Sequence, residues 1–153
     1  MKHVWLTATV AASLIYVSSS PSFSAEKVVL VTAAEAAQPA QPAGGELARR
    51  GITRGPTITE VTPVPAGTML TSPVHLQFKF EARGGAKINP AEIKVTYLKT
   101  PAIDQTDRVK PYTKDSGIDI GEAELPAGTH AFRLDVKDSE GRITTSLFTL
   151  NVK

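Results

Sequence analysis

The chain has 153 residues, enough for one domain with appendages, and carries 17 Lys and Arg against 15 Asp and Glu. Without the N-terminal segment that holds Lys2 it is close to neutral, which gives no argument for nucleic acid or an anionic membrane surface as partner. It has no cysteine, which excludes a disulfide, a lipid-modified N-terminal cysteine and a thiolate metal site, so its apolar content of 41% must form a self-sufficient core.

Residues 1–25 read as a secretory signal peptide. Lys2 and His3 open it, Val4 to Val17 is apolar, and Ser18 to Ala25 is a run of small residues in which Ser22 and Ser24 flank Phe23. Cleavage is expected after Ser24 or Ala25, which places the mature protein in the periplasm or outside the cell. The apolar run is shorter than the roughly 20 residues a spanning helix needs. No later stretch is apolar enough, so no transmembrane span is expected after the signal is removed.

Residues 26–55 read as a flexible arm. Pro39, Pro42, Gly44 and Gly45 give it linker composition. Arg49, Arg50 and Arg54 are expected as solvated linker charge. Val28 to Val31 is a short apolar remnant whose alternative is a strand added to a sheet edge.

Residues 56–153 alternate strand and turn. Thr57 to Val61 is a short first strand, broken by Pro63, Pro65 and Gly67. Val74, Leu76, Phe78 and Phe80 alternate with His75, Gln77, Lys79 and Glu81, the pattern of a half-buried strand. Gly84 and Gly85 mark a turn, and Asn89-Pro90 can cap and open one helical or 3₁₀ turn. Val95 and Tyr97 share a face with Ile93. Val109 and Tyr112 suggest an edge strand interrupted by Pro111. Ile118 and Ile120 begin another strand. In the terminal hairpin Phe132, Leu134 and Val136 alternate with Arg133, Asp135 and Lys137. Asp138 to Gly141 supply the turn, and Phe148, Leu150 and Val152 resume the alternation. The expected core is therefore Phe78, Phe80, Val95, Tyr97, Phe132, Leu134, Val136, Phe148 and Leu150. About seven strands in one all-β domain fit a single sandwich.

The stretch LPAGTHAFRLDVKDSEG followed by FTLNV resembles the end of bacterial immunoglobulin-like domains. ITEVTPVPAGTMLTSPVHLQFKF and INPAEIKVTY are similar to their first half. The resemblance covers Gly55 to Lys153 and implies a single immunoglobulin-like sandwich. It leaves function open among adhesion, spacer, chaperone and accessory roles. The chain departs from antibody-type domains, since its only tryptophan is Trp5 and it has no cysteine. A weaker resemblance is to periplasmic copper-resistance sandwich proteins. These place histidines at the mature N-terminus and near the turn that here reads Asp138-Ser139-Glu140-Gly141, and both histidines are missing.

The residues point to structure more than to chemistry. His75 has outward parity and reads as a surface histidine. His130 has inward parity at the start of the penultimate strand, where a ring nitrogen can bond back to the upstream backbone as a tyrosine often does in sandwiches. Asp135, Asp138 and Glu140 match no calcium-loop spacing, and Asp with Gly is ordinary turn chemistry. Gly128, His130, Asp138 and Gly141 are thus expected as turn and corner residues. No catalytic, cofactor or metal residue is assigned. The expected function is an exported, non-catalytic module that binds a protein partner in the cell envelope or supports its structure, through exposed edges at residues 57–70 or 100–116. The alternative is a copper-resistance-type metal handler.

Overall fold

The computed structural model describes residues 27–41, 54–62 and 67–153. The expected signal peptide, the linker residues Arg49 and Arg50, and Pro63 and Pro65 lie outside the described residues.

The chain forms strands β1 (Lys27–Val29), β2 (Thr57–Thr62), β3 (Met69–Leu70), β4 (Val74–Glu81) and β5 (Lys94–Tyr97), then β6 (Ile103–Asp104), β7 (Thr113–Lys114), β8 (Gly117–Glu124), β9 (Gly128–Lys137) and β10 (Ile143–Val152). Among the described residues, two four-residue helices, α1 (Ala33–Ala36) and α2 (Thr106–Val109), and two 3₁₀ turns accompany them. One sheet has the order β1-β8-β4-β2, with β7 also paired to β8, and the other has the order β3-β10-β9-β5-β6. The architecture is an all-β, two-sheet sandwich.

Alternation explains the core. The inward residues of β4, Val74, Leu76, Phe78 and Phe80, are buried, and its other four face outward or sit at the margin. Val95 and Tyr97 of β5, Phe132, Leu134 and Val136 of β9, and Phe148 and Leu150 of β10 meet them from the opposite sheet, all buried. Phe132 and Phe148 are directly paired across β9 and β10, with rings stacked at 5.1 Å, and Phe148 reaches Phe78 of the other sheet at 4.7 Å. Burying one such side chain stabilises the fold by about 1.5–3 kcal/mol, so the alternation alone fixes which faces meet.

Two sequence expectations are corrected. Residues 27–41, assigned to a flexible arm, belong to the sandwich: β1 pairs parallel to β8 through Lys27–Glu122, Val28–Ala123 and Val29–Glu124, and Leu30 and Val31 are buried in the core. Four apolar residues suffice once their backbone has a strand edge to bond. The structured chain therefore begins ahead of residue 56. Residues 109–112, expected as a strand broken by Pro111, are helical instead. The Asp104 carboxylate accepts from the Thr106 amide, α2 follows, and Pro111 lies within the first turn of a 3₁₀ segment, Lys110–Tyr112, where its missing N–H costs nothing. The strand number rises from about seven to ten among the described residues, because short strands line the sheet margins.

Candidate functional site

Two features of the sandwich stand out: its strand edges, and the place where one extended segment is docked. The expected first strand lies at a sheet edge, while the second edge falls on Ile103–Asp104 and not on the helical stretch around Pro111. Among the described residues, β2, with six residues, ends the first sheet and pairs with β4, and β6, within the 100–116 stretch, ends the second. A strand at an edge leaves alternate backbone N–H and C=O groups without a ladder partner. Glu60 of β2 shares the face of Ile58 that looks toward the core, and its partial burial raises its pKa. A carboxylate pointing inward on an edge strand discourages indiscriminate strand pairing.

At the opposite margin, β8 holds the N-terminal segment. Leu30 N donates to the Glu124 carbonyl at 3.0 Å, continuing the β1 pairing. The chain then turns into α1 through a capping box: Glu35 N donates to Thr32 Oγ1 at 3.3 Å, and Thr32 N donates to Glu35 Oε2 at 2.8 Å. The same carboxylate receives a two-pronged grip from Arg108, with Nη1 on Oε2 at 2.9 Å and Nη2 on Oε1 at 2.8 Å, while Nη1 also donates to the Leu30 carbonyl. The Arg108 hydrogen bond, aided by Thr32 and opposed by burial, holds the Glu35 carboxyl at about 2, far below its ordinary 4.5. Lys99 is 8% exposed. Its ammonium donates to the Ala36 and Gln38 carbonyls at 2.8 and 2.9 Å and lies 5.3 Å from the Tyr97 ring centre. Thr100 N donates to the Pro39 carbonyl, and Gln41 N to that of Leu98. Body side chains thus neutralise the segment's carboxylate and satisfy the last carbonyls of its helical turn.

The sequence reading missed Glu35, Lys99 and Arg108. A signal was present in part, since Thr32-Ala-Ala-Glu35 has capping-box spacing. Nothing in the spacing of Lys99 and Arg108 revealed their target.

The four turn and corner residues lie as follows. His130 is 1% exposed and bridges two groups: Nε2 lies 2.8 Å from the Pro126 carbonyl and Nδ1 2.8 Å from the Tyr97 hydroxyl. The carbonyl can only accept, so Nε2 carries the proton; in the neutral ring Nδ1 then accepts from Tyr97. Burial, and then the Glu35 charge, raise the Tyr97 pKa. Asp138 is buried in the β9–β10 turn, where Oδ1 accepts from the amides of Glu140 and Arg142 at 3.0 Å and Oδ2 from Arg142 Nε at 2.7 Å. Burial pushes its pKa up, but the Arg142 and backbone hydrogen bonds outweigh this and leave it lowered. Gly141 ends the turn at φ +79° and Gly128 opens β9 at φ +136°, both left-handed values that favour glycine.

Each of the three acids considered for calcium is engaged by the chain itself, and Asp138 and Glu140 share Arg142. Asp135 takes Arg133 and Thr145, Asp138 takes the turn, and Glu140 pairs with Arg142. His75 is exposed and pairs with Asp119 at 2.9 Å across β4 and β8. His75 and His130 are not brought together in one group: His75 stands on an outer face and His130 has both ring nitrogens engaged in the interior. Among the described residues no helix is long and apolar enough to cross a membrane.

Compared with protein-family models, curated proteins and solved structures, the chain matches none of them.

Proposed function

We propose that this protein is an exported immunoglobulin-like module that works by contact, binding an extended segment of a protein partner in the cell envelope or bracing it. The strand order supports the immunoglobulin-like reading. An immunoglobulin sandwich sets strands A, B, E and D against C, F and G. Here β2, β4 and β8 take the places of A, B and E, and β5, β9 and β10 those of C, F and G. The D margin is shared by β7 and the docked β1. His130, near the start of the F-like strand, bonds to the backbone four residues upstream, as a corner tyrosine does in such folds.

The observation that carries the binding reading is the six-residue edge of β2, in a sheet whose other margin already holds an extended segment by backbone bonds. Strand addition gives affinity through the main chain and specificity through alternate side chains. The copper-handling alternative gains no support, because a metal on either ring nitrogen of His130 would displace the hydrogen bond that nitrogen makes, to Tyr97 or to the Pro126 carbonyl.

A photo-crosslinking residue at Thr59, an exposed position of β2, tests the reading in the native envelope fraction. The same probe at Thr149, on the outer face of β10, is the control. A discrete adduct from Thr59 alone is expected, on a protein whose intact mass begins at Ala25 or Glu26. Equal labelling from both positions, or a mature chain that begins at Met1, contradicts it.

A further inference from the structure

We propose that the site on β8, Lys99 and Arg108 also accepts residues 27–41 of a second copy, so that two chains exchange their N-terminal segments reciprocally. This rests on the β8 margin and is independent of the reading of β2. The segment behaves as a ligand of the body. Its backbone bonds run to Glu124, Leu98 and Thr100, its carboxylate to Arg108, and its carbonyls to Lys99. Its helical turn is shaped by its own capping box, so the ligand carries part of its bound conformation with it.

Leaving the site empty is costly. Lys99 would lose the two carbonyls its ammonium donates to, and Arg108 its paired carboxylate. Replacement by an identical segment restores every one of these bonds, and a second copy supplies that segment by construction. Twelve residues, 42–53, connect the segment to Arg54; they can span up to about 40 Å when extended, a reach compatible with a neighbouring chain. In dilute solution the tether favours the chain's own segment through an effective concentration on the order of millimolar. Exchange is therefore a state of high local concentration or of refolding.

The test removes that bias with charge. In the Glu35→Arg chain two guanidinium groups face each other within one molecule, and in the Arg108→Glu chain two carboxylates do. When one chain of each kind exchanges segments, both sites regain one charge of each sign. Size-exclusion chromatography with light scattering, after refolding the two full-length variants together, should give a 1:1 heterodimer that melts higher than either variant alone. Two separate monomers in the mixture overturn the proposal. Where neither variant folds alone or together, the wild-type chain with a specific protease site placed within 42–53 decides. After cutting, a labelled peptide of residues 27–41 should enter the site, and a Glu35→Arg peptide should bind about tenfold more weakly or worse. No capture of the wild-type peptide by the cut protein overturns the proposal equally.

Discussion

At the scale of single residues, the buried Asp138, His130 and Lys99 each bond to the chain's own backbone, whereas the side-chain amide of the buried Gln105 has no hydrogen-bond partner among the described residues. Asp138 ties two amides and Arg142 into the β9–β10 turn. Its lowered pKa means that the folded state binds its proton less readily than the unfolded chain does. The stability it contributes is therefore present above its ordinary value of 3.8 and is lost as pH falls through the lower folded value. Asp138→Asn keeps an oxygen for the two amides and loses the charge that Arg142 binds. Denaturant midpoints should show this variant well below wild type at pH 7, with the gap closing on acidification below about 4. A gap that stays constant with pH would mean that Arg142 does not sense the charge. The aromatic stack makes the second residue-scale prediction. Phe132 is completely buried between Tyr97 and Phe148. Phe132→Ala should cost about 3–5 kcal/mol, measured as a shift in urea midpoint, because a cavity adds to the lost transfer energy. In a domain of this size that is a large fraction of the total.

At the scale of elements, the docked segment is held by one well-shaped ion pair and two buried side chains. Glu35 is mostly buried, and its carboxyl is held at about 2, so its contribution is full above pH 4.5 and fades as pH falls toward 2. Glu35→Gln should lower stability by about 1–2 kcal/mol at neutral pH, as expected for a hydrogen bond to a charged group, and by progressively less in acid. Leu30→Ala should cost about 2–5 kcal/mol, since Leu30 is 1% exposed and packs in the same core as Leu76 and Ile120. A change near zero in thermal midpoint for Leu30→Ala would mean the segment does not pack in solution. Which elements were legible follows from their length and period. β4 and β9 run eight and ten residues with a two-residue alternation that shows their faces, and β10 alternates in the same way from Phe148 on, its exposed Ile143 and Leu147 falling out of phase. β1 has three residues next to an alanine- and proline-rich run, too few for a period, and its strand exists only because β8 offers an edge. α2 was hidden for a related reason: a single helical turn, entered through the Thr106 amide bonded to the Asp104 carboxylate, has no apolar repeat, and Pro111 beside it suggested a broken strand.

At the scale of the whole molecule, the N-terminal segment completes the sandwich instead of leading up to it. Its Glu35 and its terminal carbonyls were visible in the sequence, but the cations that meet them lie more than sixty residues away, and no local pattern connects them. Among the described residues β2 ends one side of its sheet, while the margin at β8 is filled by the chain's own N-terminal segment. Native-state hydrogen exchange on the full-length protein tests this most directly. The amide of Leu30, bonded to Glu124 and buried, should exchange slowly, within a few-fold of the amides of β8 that it packs against, and Glu35→Arg should speed it selectively. Exchange of residues 27–31 at the rate of an unprotected chain, while β8, β9 and β10 stay protected, would contradict the account.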